Sequence, residues 1–368
     1  MPEAQADGRR PTEQTAISVP GAPVIPGLSF RGFRGEVDYP LIADVIASGL
    51  EADQTEWTLS AEDVARDYSH LQNSDPWHDM LFVEIDGQVV GYSRVEWYQQ
   101  DDGVRLYQHF AHLRPEWRDT VPVSPVLSAG EGGGAKGLRH AMARWCEQRL
   151  RQIDAGLPEK RPVTGRFYQA GAGRTATDWC RVLEDLGYTP VRWGYEMVRS
   201  LTEPIPDLPL PEGIEVRPVG KEHLRAIWDG SREAFRDHWG YSEDGWSEVR
   251  FEAYRDDPLT RPELFQIAWA GNEVVGAVQN FLRDEENEQY NRKRGYTEGI
   301  FVRRPWRRQG VAKALISRSM RMFRDMGMTE TAHGVDANNP SGALQLYTGL
   351  GYRVNKEFIT FRKEMETA

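Results

Sequence analysis

The chain has 368 residues, of which 45 are lysine or arginine and 56 are aspartate or glutamate, so its formal net charge is −11. This acidic balance argues against bulk binding to nucleic acid or to an anionic membrane surface. The two cysteines, Cys146 and Cys180, lack metal-ligand spacing, and the chain has neither an apolar run near 18 residues nor a signal-peptide pattern. We therefore expect a cytoplasmic protein of two domains, without a metal site and without a nucleic-acid or membrane partner.

The first half shows a clear succession of predicted elements. Residues 1–26 are rich in Pro, Ala, Gly, Gln and Thr, which predicts a disordered leader. The Asp86-Gly87 pair lies between two apolar runs and is a strong hairpin signal. The other predicted elements are a strand at 28–33, helices at 39–48 and 60–71, and a strand at 104–113.

The second half repeats this order of elements. A strand at 214–218 precedes helical signals over 222–236 and a hairpin at 270–272. The tripeptide Leu-Gly-Tyr occurs at 186–188 and again at 350–352, each time before a terminal strand. Between the copies, four prolines predict a semi-rigid extended linker. The predicted divisions are a leader at 1–26, domains at 27–201 and 213–368, and a linker at 202–212.

The segment 307–313 is the first of two motifs that indicate chemistry. It follows an apolar run at 296–302 and opens a helical pattern. The amides of a first helical turn have no partner inside the helix, and the helix dipole adds positive potential, so such a turn suits a phosphate. Gly310 and Ala312 keep this surface bare, and three basic side chains flank it. The ordinary alternative is a capped helix after a strand.

The second motif covers residues 336–352. Asn339 is predicted as a helix N-cap, Tyr347 and Leu350 share one helix face, and Gly351 ends the helix. An Arg-x-x-Gly-x-Ala turn after a strand, followed by Asn, Ala and Leu-Tyr before Leu-Gly-Tyr, resembles the GNAT superfamily of acyl-CoA-dependent N-acyltransferases. The resemblance implies an α/β fold (α+β, mixed sheet) with two tandem GNAT-like domains, each a splayed, mostly antiparallel sheet flanked by helices.

The same resemblance implies an N-acetyltransferase. It would transfer an acyl group, expected to be acetyl, from CoA to a primary amine of a small molecule by direct attack, without a covalent enzyme intermediate. Acetyl-CoA or another acyl-CoA would be the co-substrate, with no metal, and the protein would be a monomer or homodimer. The alternative is a non-catalytic acyl-CoA-binding sensor or scaffold; a narrower one is acylation of a protein lysine or N-terminus.

The resemblance also assigns the cofactor residues. One extra residue between the asparagines and Tyr347, compared with the commoner spacing, leaves the choice of asparagine open. The pyrophosphate would be held by Arg307, Arg308, Gln309, Gly310, Val311, Ala312 and Lys313, and the pantetheine arm by the backbone of Ile300, Phe301 and Val302 and by Asn338 or Asn339.

Tyr347 and Glu298 are the predicted catalytic residues. Tyr347 would act as general acid, because a phenol of pKa about 10 is matched to a thiol leaving group; its alternative is a core aromatic. Glu298 would act as general base, and its alternative is a solvent-facing strand residue. A bulge in that strand would point an amide at the thioester oxygen. His238 is a second candidate base, whereas His333 is predicted to be a packing residue.

Acceptor binding is indicated more weakly. The aromatic residues Trp239, Tyr241 and Trp246 and the acidic run 284–288 could line a mouth that attracts an amine. An acidic run is more often a solvated loop, and that is the prediction here.

The first copy departs from the family pattern. The turn spacing after Arg118 is lost, and the glycine cluster 130–137 is predicted to be a flexible insertion. Leu183 stands where the second copy has Tyr347, and leucine cannot donate a proton. The first copy is therefore predicted to have lost acyl transfer and to serve as scaffold, substrate wall or partner surface.

Overall fold

The computed structural model of the chain describes residues 17–118, 137–339 and 342–366. Most of the predicted leader and of the glycine cluster lies outside the described residues.

A single sheet of twelve strands runs through the described parts of both halves. Its order is β1-β2-β3-β4-β5-β12-β6-β11-β10-β9-β8-β7, and only β4–β5 and β10–β11 pair in parallel. The mixed, mostly antiparallel sheet expected from the sequence is thus confirmed. The strands are β1 Leu28–Arg31, β2 Met80–Ile85, β3 Gln88–Gln99, β4 Val104–Leu113, β5 Gly165–Gly173, β6 Thr189–Ser200, β7 Glu215–Val216, β8 Gln266–Ala270, β9 Glu273–Leu282, β10 Arg294–Val302, β11 Glu330–Asp336 and β12 Arg353–Glu364.

Ten α-helices flank this sheet in the described ranges. They are α1 Tyr39–Leu50, α2 Ala61–Ser69, α3 Pro76–Asp79, α4 Leu138–Gly156, α5 Thr177–Asp185, α6 Leu224–Phe235, α7 Glu248–Asp256, α8 Asp284–Gln289, α9 Val311–Asp325 and α10 Ala343–Gly349. Helix α2 begins with a capping box in which the side chains of Ser60 and Asp63 each bond the other's backbone N–H. None of the helices in these ranges is long and apolar enough to cross a membrane.

The two halves exchange their last strands. Strand β6, from the first half, pairs with β11, while β12, from the second half, pairs with β5; the two exchanged strands also pair with each other. Ile359 and Phe361 of β12 are buried in the core of the first half, and Met197 of β6 is buried in that of the second. A strand pattern predicts a strand but not its partner, so the exchange could not be read from the sequence.

Matching contacts support the internal repeat. Arg118 Nε donates to the carbonyl of Leu113 at 2.9 Å, and Arg307 Nε donates to the carbonyl of Val302 at the same distance. Each guanidinium also binds an aspartate in the loop after the first long helix of its half, Asp53 or Asp237. The ends of β4 and β10 are therefore anchored by an arginine in the same way in both halves.

Candidate active site

A cleft of about 1810 Å³ lies in the second half, where β10 and β11 separate. The two strands pair only from Arg294 to Tyr296, and beyond that point they diverge. Of the predicted site residues, all but Gln309 and Asn338 line the cleft. Those that line it are Glu298, Ile300, Phe301, Val302, Arg307, Arg308, Gly310, Val311, Ala312, Lys313, Asn339 and Tyr347.

A β-bulge interrupts β10 beside the cleft. Glu298 faces Gln279 on β9 but Phe301 faces Ala277, so one extra residue is inserted between them. Gly299 lies in the bulge at φ +53, and a Cβ there would come within 2.6 Å of the Gln279 amide. A side chain here would strain the backbone and displace Gln279, so the position favours glycine. The bulge that the family resemblance implied is present.

Glu298 lies at the bulge with a raised pKa. Burial raises the pKa of its carboxyl to about 7, against the opposing effects of a backbone hydrogen bond from Gly334 and the charge of Arg283. The Gly334 N–H donates to Glu298 Oε1 at 3.0 Å and so bridges the gap between β10 and β11. A carboxylate with this pKa can take up a proton near neutral pH.

Tyr347 projects from α10 into a buried aromatic cluster. Its ring centroid lies 3.9 Å from that of His333, which in turn lies 4.3 Å from the ring of Tyr352. Burial lowers the pKa of His333 to about 3 and raises the pKa of Tyr347. The imidazole is therefore neutral and the phenol protonated at neutral pH. His333 is buried, as the sequence predicted, and it also lines the cleft.

The start of α9 is open toward the cleft. Gly310 is its left-handed N-cap at φ +91, and the first hydrogen bond inside the helix comes from the N–H of Ala314, at 3.0 Å to the Gly310 carbonyl. Arg308 and Lys313 are exposed and lack an ion pair with any described carboxylate. These groups are available to an anion. Gln309 instead donates its side-chain amide to the carbonyl of Pro305.

The turn after β11 differs from its prediction. Helix α10 begins at Ala343 behind a left-handed Gly342, so Asn339 is not its N-cap. The Asn339 amide instead lies 3.1 Å from His238 Nε2. Arg192 from β6 forms a two-point ion pair with Asp336, which holds this turn against the exchanged strand.

The acceptor residues hinted at by the sequence are mostly elsewhere. The acidic run forms helix α8 rather than a solvated loop, and its buried Glu286 accepts hydrogen bonds from Tyr296 and Arg292. Of the three predicted aromatic residues, Trp239 lines the cleft, whereas Trp246 packs on Trp228.

Within residues 17–118 and 137–201, the first half lacks counterparts of the Glu298 carboxylate and the Tyr347 phenol. Strand β4 pairs with β3 without a bulge. In each half, a glycine of the neighbouring strand pairs with the last residue of β4 or β10. Three residues after that glycine, the pairing partner is Phe110 in the first half and Glu298 in the second, so Phe110 takes the place of Glu298. Leu183, at the position of Tyr347, is fully buried.

Two side chains fill the gap between β4 and β5. Arg139 Nε donates to the carbonyl of Ala111 at 2.8 Å, and Trp179 Nε1 donates to the carbonyl of Gly171 at 3.0 Å. The guanidinium lies 4.8 Å from the Trp179 ring. They satisfy backbone groups that the separating strands leave unpaired. We call Arg139 and Trp179 the plug.

The second half has small residues at the plug positions. Aligning the buried positions at the starts of α4 and α9 matches Arg139 with Ala312, and the Leu-Gly-Tyr repeats match Trp179 with Ala343. The sequence interpretation missed the plug. An alignment of the two halves, position by position, would have shown large side chains opposite two alanines.

Known proteins share this sequence pattern and fold. Residues 231–352 match the Acetyltransferase (GNAT) family. A mycothiol acetyltransferase of Salinispora arenicola is 30% identical over 172 residues, which are 46% of this chain and 54% of that protein; the one from Salinispora tropica is 29% identical over the same lengths. The chain thus spans about half the length of the curated relatives it matches.

Solved structures match over nearly the whole chain. A GCN5-related N-acetyltransferase from Sphaerobacter thermophilus is 26% identical with a TM-score of 0.65, covering 93% of this chain and 96% of that one. A tandem GNAT protein from the clavulanic acid biosynthesis pathway has a TM-score of 0.62 at 12% identity, covering 93% and 99%, and shares the fold alone. The second half therefore contains a GNAT acetyltransferase domain, and the whole chain has a tandem GNAT fold.

Proposed function

We propose that the protein is an N-acetyltransferase that moves an acetyl group from CoA to a primary amine of a small molecule, with its active site in the second half. The observation that carries the proposal is the convergence of Glu298 and Tyr347 on one cleft, on either side of the gap beside the β10 bulge. The match of residues 231–352 to the Acetyltransferase (GNAT) family supports acyl transfer from CoA.

The start of α9 fits a pyrophosphate. Its first-turn amides have no partner inside the helix, and Arg308 and Lys313 add positive charge without a described carboxylate to neutralise it. Arg307 contributes differently, because it holds the turn by donating to the carbonyls of Val302 and Ala234. Beyond Tyr296 the β10 backbone no longer pairs with β11, so it can hydrogen-bond the pantetheine amides.

Acetyl-CoA, when bound, supplies a thioester whose carbonyl carbon forms the new C–N bond with the amine as its C–S bond breaks. Glu298 takes the proton that the amine nitrogen loses. The bulge directs a backbone N–H into the cleft, where it stabilises negative charge on the carbonyl oxygen. Tyr347 Oη gives a proton to the departing sulfur. This scheme uses no covalent bond to the protein, and none of the described residues form a cluster of three or more potential metal ligands.

The first half is proposed to hold no acyl-CoA. Phe110 and Leu183 supply neither base nor acid, and the plug occupies the gap that would receive the pantetheine arm. Its contribution is instead the strand β6, whose Arg192 fixes the turn that carries Asn339.

Transplanting the plug tests this account. Ala343→Trp places the first half's side chain in the second half's gap, and we expect acetyl-CoA binding to weaken by about tenfold, since a buried indole displaces ligand contacts of about 1–2 kcal/mol. Thr348→Trp is the matched control, because Thr348 is exposed on the same helix and does not line the cleft. Calorimetric titration measures both. Equal affinities for the two variants would contradict the proposed path of the pantetheine arm.

The experiment that tests the function is thiol release from acetyl-CoA by the full chain with a panel of primary amines. We expect amine-dependent release with acetylated amine as product. Acetyl-CoA binding without turnover of any amine would favour the sensor or scaffold alternative. Absence of acetyl-CoA binding would overturn both acetyl transfer and the acyl-CoA sensor, and would favour the scaffold.

A further inference from the structure

The exchanged strands form one wall of the cleft. On β12, Ile359 and Phe361 point into the core of the first half, so the alternating residues Phe358 and Thr360 face the opposite side and line the cleft. On β6, Gly194 pairs with Phe358, and because glycine has no side chain the space beside the Phe358 ring stays open. In the order of the sheet, this wall is separated by β11 from the β10 backbone proposed to bind acyl-CoA.

Two large apolar rings are exposed along this wall. Trp239 is 41% exposed and Phe358 43%, and of the exposed large apolar side chains in the described ranges only these two line the cleft. A single exposed ring is ordinary, but two in one concave site beside a candidate base indicate a ligand that covers them.

Trp239 is held in place before any ligand arrives. The guanidinium carbons of Arg192 and Arg362, one from each exchanged strand, lie 5.0 Å and 4.3 Å from its ring centroid. Arg192 is bound by Asp336, and Arg362 donates to Gln169 at 2.9 Å. A fixed ring loses little conformational entropy on binding, which favours contact with a flat partner.

The register of the strands gives the distance from the candidate base. Gly334, which bonds Glu298, pairs with Glu196 on β6, two residues from Gly194 and four from Arg192. At about 3.3 Å per residue, Gly194, which pairs with Phe358, and Arg192, which lies against Trp239, are offset along β6 by roughly 7 and 13 Å from the position opposite Gly334. An amine joined to an aryl ring through a short chain spans this distance, whereas a small alkyl amine does not.

We infer that Trp239 and Phe358 form an aromatic subsite for the acceptor, and that the protein acetylates arylalkylamines in preference to alkylamines of similar reactivity. The Arg192 charge is neutralised by Asp336, and Arg362 does not line the cleft, so a neutral ring suits the subsite better than an anion. This inference rests on the proposed acetyl transfer.

The test compares 2-phenylethylamine with propylamine at equal concentrations of neutral amine. For the wild type we expect kcat/KM to be about tenfold higher with 2-phenylethylamine, the size of effect that one or two aromatic contacts provide. Phe358→Ala and Trp239→Ala should remove most of this preference through KM and leave the propylamine rate within about twofold. Val354→Ala, which truncates an exposed apolar residue of the same strand outside the cleft, should leave the preference unchanged.

The outcomes separate this inference from the proposed function. Turnover of both amines with equal kcat/KM, or an equal loss for both amines in the alanine variants, would overturn the aromatic subsite and leave acetyl transfer standing. If neither amine turns over, calorimetric titration of 2-phenylethylamine into the CoA-loaded protein decides: no saturable binding also overturns the subsite. If the protein prefers an aryl amine that bears a carboxylate over 2-phenylethylamine, the inference of a neutral acceptor is wrong and the subsite binds an anionic one.

Discussion

Replacing Gly310 by glutamate is expected to weaken acetyl-CoA binding by about 100-fold, because the new carboxylate lies at the helix start proposed to hold the pyrophosphate. Loss of one or two charge-assisted hydrogen bonds at about 1.5–3 kcal/mol each accounts for this size. The Cβ itself meets open space, so the effect comes from charge and from blocked access rather than from a clash. Calorimetric titration of acetyl-CoA measures it.

Gly327→Glu is the matched control. Gly327 has φ +84 at the other end of α9 and also faces open space, so the same substitution brings the same backbone strain without touching the cleft. We expect its affinity to equal that of the wild type, with one site per chain. Two wild-type sites, of which one survives in Gly310→Glu, would show that the first half binds acyl-CoA despite the plug. Unchanged binding in Gly310→Glu would refute the assignment of the pyrophosphate.

Replacing Glu298 by glutamine is expected to lower kcat by about 10²–10⁴-fold, the usual contribution of a general base. The wild-type rate should rise as pH increases through about 7, because only the ionised carboxylate accepts a proton. The variant should lack this rise and keep the dependence on amine ionisation. A pH profile of kcat/KM measured with one amine for both proteins provides the comparison.

Thermal unfolding separates lost catalysis from lost structure in this variant. The raised pKa means that protonation of Glu298 stabilises the fold: the stabilisation is complete below the unfolded value near 4.5 and disappears as pH rises through about 7. Glutamine never ionises, so at pH 8 Glu298→Gln should unfold at a higher temperature than the wild type. An inactive variant that also unfolds at a lower temperature would contradict this view of the site.

Local patterns predicted much of the cleft. The glycine and the basic residues of 307–313 define a helix start from composition and spacing alone. Outside the cleft, Asp86-Gly87 likewise marks the hairpin between β2 and β3 of the first half. The helix around Tyr347 was also predicted, although Asn339 proved to face His238 instead of capping it. These features are determined by residues close together in the sequence, so a local sequence pattern can predict them.

Features that depend on distant partners were not predictable in this way. Arg192 and Phe358 lie on terminal strands that could pair with either half, and nothing local indicates which. The sequence predicted a solvated loop for the acidic run at 284–288. The run itself does not show that its Glu286 binds Arg292 and Tyr296, which come later in the chain. Tertiary contacts decided these positions, as they often override local preference.

The exchanged terminal strands make the chain equivalent to a swapped homodimer that has been fused end to end. Two separate copies would each depend on a strand from the other copy. Dilution would dissociate such a dimer, and both clefts would lose a strand. Covalent fusion removes that dependence on concentration and also lets the copies diverge in sequence. The first half can fill its own groove with Arg139 and Trp179 while its strand β6 still completes the other cleft. It persists as a permanently tethered subunit.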